Sequence, residues 1–152
     1  MSTTSYSNGY SGLAIADYFV KKALSQNESI TNMQVLNMMY FAQTFGFTEL
    51  HRRLIKDEFY AWQWGPVEPK TYAEFRKYGG QSIKEISHKT NKELDDIESQ
   101  KDIKEFLDKI YILRTADPFV LNKKTNGLGS PWAETNPYSA IDISLIRNDF
   151  IK

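Results

Sequence analysis

The sequence predicts an all-α domain: one compact helical bundle around a buried central helix, with at most a minor extended segment. Three observations carry this. Apolar residues recur at three- and four-residue intervals in several stretches, the spacing of one helix face. One stretch is apolar on nearly every face, as a fully buried helix is. Capping residues and Gly/Pro breakers separate the stretches. A length of 152 residues fits a single domain. With 41% hydrophobic and 14% aromatic residues the chain can bury a core, although it is near the small end for doing so.

Residues 1–11 are rich in Ser, Thr, Tyr, Asn and Gly and are expected to form a disordered tail, ahead of a helical domain over residues 12–152. An extended arm that docks on a partner is the alternative. The tail has neither a basic nor an apolar region and does not read as a signal peptide. From Gly12 to Ser25, Leu13, Ala16, Val20, Ala23 and Leu24 mark one helix face, with Ser11 as cap. Thr31 and Gln34 then form a predicted capping box, and Ile30 and Val35 a hydrophobic staple. The segment from Met33 to Phe45 is the predicted central helix, with Gly46 expected to stop it.

Residues 51–60 fit neither period and are read as a short helix or an irregular extended piece. Pro69 to Lys77 reads as a helix broken by Gly79-Gly80. Residues 83–99 read as a polar surface loop leading into a helix. Ile103, Phe106, Leu107, Ile110 and Leu113 trace the next helical stripe. Asp117-Pro118 signals a capped helix start, Ser130-Pro131 a second one, and Asp142 to Phe150 a short closing helix.

Bulk chemistry narrows the function. Nineteen basic side chains balance nineteen acidic ones, which argues against a protein whose main task is neutralising phosphates. Zero cysteines exclude disulfides, thiolate zinc sites and cysteine catalysis, and suit a reducing cytoplasm. No stretch approaches the ~18 apolar residues of a membrane span. His51 and His88 stand far apart in polar surroundings, and no spacing matches a metal site. Glu68 and Glu74, six positions apart, would not share a helix face. The run His51-Arg52-Arg53 reads as a solvated face rather than a nucleic-acid patch. An enzyme built on Glu68, His51 or Asp57 is the least favoured class, so no catalytic residue, metal or cofactor is assigned.

The most informative run is Ala61-Trp62-Gln63-Trp64-Gly65-Pro66-Val67-Glu68-Pro69, which holds two of the three tryptophans. Trp carries a large apolar surface and one N–H donor, and Gly-Pro is expected to fix a turn. The chemistry is that of an aromatic-walled corner for recognition. Candidate partner-interface residues are Trp62, Trp64, Gly65, Pro66, Tyr72 and Trp132. Core packing is the competing reading for Trp62, and a purely conformational role the competing reading for Gly65 and Pro66. Among nine Tyr and nine Phe, Tyr60, Tyr72, Tyr78 and Tyr138 are candidates for exposed rings.

The chain resembles the SocA-like Panacea domain, a family of bacterial and phage antitoxins. Leu13 to Leu24 (LAIADYFVKKAL) is similar to the opening helix of the family, and Gln34 to Gln43 (QVLNMMYFAQ) to the second. Ala61 to Val67 (AWQWGPV) with Pro69, Tyr72 and Phe75 resembles its most specific signature. Thr125-Asn126 and Ser130-Pro131-Trp132 resemble its closing element. Asn37 stands where the family commonly has Lys, and Asn126 where it commonly has His. The resemblance implies a protein that binds and neutralises a toxin, usually one encoded beside it. It also admits an adaptor that passes the toxin to a protease. A regulator of phage or mobile-element origin, aimed at another host protein, is the alternative function.

Overall fold

The structure, a computed structural model, describes residues 6–149. Seven helices occur among these residues, α1 (Gly12–Ser25), α2 (Asn32–Glu49), α3 (Pro69–Phe75), α4 (Asn91–Ser99), α5 (Lys101–Ile110), α6 (Pro118–Asn126) and α7 (Ile143–Asn148). One antiparallel hairpin, β1 (Tyr60–Trp62) and β2 (Gly65–Val67), lies between α2 and α3. The mostly helical fold is the one the apolar spacing predicts.

α2 is central and touches α1, α3, α5, α7 and β2. Val35, Leu36, Met38, Met39, Tyr40, Phe41 and Ala42 are all buried, and from Val35 to Ala42 only the polar Asn37 is partly exposed. Its capping box is present: the Thr31 hydroxyl accepts from the Gln34 N–H, and the Gln34 side chain accepts from the Thr31 N–H at 2.9 Å. Gly46 does not stop the helix, which continues to Glu49. A Cβ on Gly46 would lie 3.4 Å from Cβ of Leu54. Close packing against the following segment, rather than a left-handed cap, is therefore what this glycine provides.

Residues 51–60 form the irregular extended piece, and Gln43 explains why it stays put. The buried Gln43 amide donates to the Ile55 carbonyl and accepts the Ile55 N–H, both at 2.9 Å, as a neighbouring strand would. On its other side Tyr10 donates to the Leu54 carbonyl at 2.8 Å and accepts the Lys56 N–H at 2.9 Å. The disordered tail expected over residues 1–11 is thus corrected from residue 6 onward. Tyr10 is buried, stacks on Tyr6, and donates its hydroxyl to Asp96 at 2.6 Å. Low apolar content hid a segment that is held by backbone bonds. The first five residues lie outside the described ones, as does Phe150 of the closing helix.

α3 begins at Pro69 as expected but ends at Phe75, where a tighter 3-10 turn carries the chain to Tyr78. α5 likewise passes into a 3-10 turn over Tyr111–Thr115. Asp117 caps α6 and Asp142 caps α7, each through a side-chain oxygen. Ser130-Pro131 does not start a helix. The four residues after Ser130 form turns, closed by hydrogen bonds from Ala133 N–H to the Ser130 hydroxyl and from the Thr135 hydroxyl to the Pro131 carbonyl.

Carboxylates tie α1, α4 and α5 to one another and to neighbouring segments. Asp17 is wholly buried and accepts from the Ser87 N–H, the Ser87 hydroxyl and the Thr90 hydroxyl at 2.5–2.8 Å. The Tyr18 hydroxyl donates to Asp108, Tyr111 to Glu28 and Tyr40 to Asp149. Burial first, and then the neighbouring carboxylate, raises the ionisation of each phenol above its ordinary 10, to about 12 for Tyr111. These phenols therefore remain donors throughout the physiological range.

Candidate functional site

The tryptophan-rich run folds into a β-hairpin whose two-residue turn is Gln63-Trp64. Gly65-Pro66 lies inside β2 and not at the turn, which corrects the expected placement. Neither Gln63 nor Trp64 has positive φ, so the turn is not of the primed type that matches strand twist. Gly65, at φ +143°, absorbs the mismatch in a conformation that other residues rarely adopt. Pro66 faces Ala61. The Ala61 backbone is turned away from β2, donating to the Ser139 carbonyl at 2.9 Å and accepting from the Tyr138 N–H at 2.7 Å. The ladder needs no N–H at Pro66, and a proline fits there without losing a bond.

Both tryptophan carbonyls of the hairpin are held from outside. The Trp132 indole donates to the Trp62 carbonyl at 2.5 Å, and the Asn126 amide donates to the Trp64 carbonyl at 3.0 Å. The two downstream elements singled out in the sequence therefore converge on the first. Asn126, in the position where histidine is common, still supplies a donor to the turn. The Trp62 ring packs edge-on against Tyr72 of α3, with centroids 5.2 Å apart.

The six candidate residues line one cleft in two joined parts. One part, of about 370 Å³, lies between Trp62, Trp132 and Tyr138. The other, of about 190 Å³, is walled by Trp62, Trp64, Gly65, Pro66 and Tyr72, with Met33 and Asn37 of α2. Gly65 and Pro66 are buried and shape the wall, Trp62, Tyr72 and Trp132 are half-buried, and Trp64 is 70% exposed. Tyr138 is exposed, at φ +64°. Tyr60 and Tyr78 are half-buried, and Tyr60 lies outside this cleft. Sequence reasoning missed Met33, because its place in an apolar run reads as core, whereas it is exposed at the cleft. Asn37 was singled out for its residue type, with no signal of its position.

The residues weighed for catalysis serve helix ends. Glu68 is buried at the start of α3, where it accepts from the Lys70 N–H, the Thr71 N–H and the Thr71 hydroxyl. Burial raises its pKa above the ordinary value, against the lowering effect of those donors, and nearby Asp57 raises it further. Asp57 accepts the Gly12 N–H at 2.7 Å, at the start of α1. Glu74 pairs with Lys89 and is not joined to Glu68. His51 is exposed, while Arg52 and Arg53 donate to the backbone carbonyls of Tyr6, Ile55 and Lys56. Among the described residues no cluster of three His, Cys, Asp or Glu is arranged to hold a metal ion. No helix among them is long and apolar enough to cross a membrane.

The model of the antitoxin SocA-like, Panacea domain family matches residues 35–148, from within α2 to the end of α7, and so includes all six candidate residues of the cleft. The chain belongs to this family. No curated protein and no solved structure matches it.

Proposed function

We propose that the protein is an antitoxin-type binding protein that neutralises a cognate toxin, encoded adjacently, by contact through the aromatic cleft. The observation that carries this reading is the placement of Trp64. A large apolar ring stands in water at the tip of a hairpin whose carbonyls are fixed by Trp132 and Asn126. Rigid, exposed aromatic anchors are the residues that dominate interface energies, since little ordering entropy opposes their burial. Family membership supplies the class of partner.

The reading is one of binding and not of catalysis, supported by the use of Glu68 and Asp57 as helix caps. A cysteine-free chain suits a cytoplasmic partner. The same cleft serves whether neutralisation occludes the toxin or presents it to a protease. Co-expression with the adjacent gene tests the proposal. Growth rescue and a stoichiometric complex on co-purification are expected. Absence of both overturns it, and capture of a host protein encoded elsewhere would favour a regulator instead.

A further inference from the structure

Two asparagines of this chain, Asn8 and Asn126, are followed directly by glycine. That dipeptide carries a reaction of its own. The glycine nitrogen, on losing its proton, attacks the asparagine side-chain carbonyl carbon, because no Cβ on the glycine shields it. Cγ exchanges its bond to Nδ2 for a bond to the glycine nitrogen, and ammonia leaves. Water then opens the five-membered imide at either carbonyl, giving aspartate or isoaspartate. No oxidant, metal or enzyme enters the balance. In a folded chain the rate depends on whether that nitrogen is free and whether water reaches it.

The structure treats the two pairs differently. Gly9 is buried, and its N–H donates to the Tyr6 carbonyl at 2.9 Å. The next residue, Tyr10, is bonded through its backbone to Leu54 and Lys56, so the nitrogen beside Asn8 is both occupied and fixed. Asn126 is the last residue of α6, and Gly127 leaves the helix in extended backbone, at φ −77° and ψ 175°. The residues that follow α1 and α2 donate their N–H to a carbonyl one turn back, whereas the Gly127 N–H makes no hydrogen bond among the described residues. Asn126 and Gly127 are both half-exposed.

Neither residue is incidental to the fold. A Cβ on Gly127 would overlap the Lys123 carbonyl oxygen, so packing requires the glycine. The Asn126 amide is the donor that holds the Trp64 carbonyl at 3.0 Å. A reactive pair therefore stands where α6 latches the hairpin turn.

From that placement we propose that Asn126-Gly127 is a site of spontaneous modification, and that its conversion to aspartate or isoaspartate unlatches the turn. The group that leaves as ammonia is the latch itself. Either product sets a carboxylate against the Trp64 carbonyl, acceptor facing acceptor, and isoaspartate also adds a methylene to the main chain where α6 ends. The loss of ammonia makes the step one-way, so it runs on time and pH and gives the order of the hairpin tip an internal clock. This chemistry is independent of the antitoxin reading.

Incubating the full chain at physiological temperature, with peptide mapping by mass spectrometry and isoaspartyl methyltransferase labelling, tests the proposal. In the folded protein Asn126 is expected to convert about tenfold faster than Asn8, a barrier difference of about 1.4 kcal/mol. The two rates are expected to converge in concentrated urea, and conversion should accelerate with pH because the attacking nitrogen must lose its proton. Aged protein and Asn126→Asp should both exchange the Trp62 and Gly65 amides about fivefold faster than fresh wild type, as the loss of one hydrogen bond implies. Asn126→His, which offers a donor and has no amide to lose, should keep slow exchange through the same incubation. Equal conversion of Asn8 and Asn126 in the folded chain, an intact Asn126 after Asn8 has converted, or wild-type exchange in Asn126→Asp would overturn the inference.

Discussion

The two sides of the molecule use polar groups and aromatic rings in opposite ways. Around α1, α4 and α5, several carboxylates are directed inward and consumed. Asp17 takes three donors from the loop before α4, and Tyr10, Tyr18 and Tyr111 each hold an acid from a distant segment. On the hairpin side, hydrogen bonds fix only the backbone, and the rings of Trp64, Phe119 and Tyr138 remain uncovered. One side stabilises the fold, and the other presents a rigid surface. Substitutions should separate accordingly into stability effects and binding effects.

The largest effect should come from the inward side. Asp17→Ala leaves the Ser87 N–H and the Ser87 and Thr90 hydroxyls without their buried acceptor, a loss of about 3 kcal/mol. Urea titration should show it as a lower midpoint, with partner affinity retained by the folded fraction. A midpoint equal to wild type would end the division between the sides. Trp132→Phe keeps the ring but removes the N–H to the Trp62 carbonyl, and should cost about 1–1.5 kcal/mol of stability. It should also loosen the hairpin, read as faster amide exchange at Trp62 and Gly65.

Asn126→Ala removes only the amide to the Trp64 carbonyl, at a half-exposed site, and should destabilise by about 0.5–1 kcal/mol. Asn126→His sharpens the comparison, because an imidazole N–H can replace that donor. It should recover stability that alanine loses.

The smallest effect is a pH slope. The folded pKa of Glu68 is raised above its ordinary 4.5, first by burial. Its contribution to stability is therefore fully present below about pH 4.5 and is lost as pH rises through the raised folded value. Glu68→Gln should flatten that part of the stability profile. Asp108 acts in the opposite sense. Burial works to raise its pKa, but the Tyr18 hydroxyl, Lys22 and Lys104 together outweigh burial and hold it below 3.8. Its contribution is lost as the solution is made more acidic than that, outside the Glu68 window. An unchanged slope above pH 4.5 in Glu68→Gln would count against the assignment.

What the sequence could disclose follows from the range of the interaction involved. α1, the capping box of α2 and the Asp117 cap of α6 depend on residues three or four apart, and all three stand where the pattern puts them. The hairpin does not announce itself as strands, because three-residue strands have no measurable period. Gly46 was misleading because a glycine that admits a neighbour and one that ends a helix look identical in one dimension. Tyr10 joins the fold through backbone bonds to Leu54 and Lys56, which no side-chain pattern encodes. The candidate site was legible in its anchors, since Trp, Gly and Pro crowd into few positions. Met33 was not, because its role depends on what fails to pack against it.

The most direct test is a paired measurement on Trp64→Ala: melting temperature, and affinity for the partner that rescue or co-purification identifies. With the residue 70% exposed, the melting temperature should move by no more than about 2 °C. Affinity should fall by about 2 kcal/mol or more, roughly thirtyfold. A protein that melts far lower, or one that binds its partner as tightly as wild type, would contradict a functional site at the aromatic cleft.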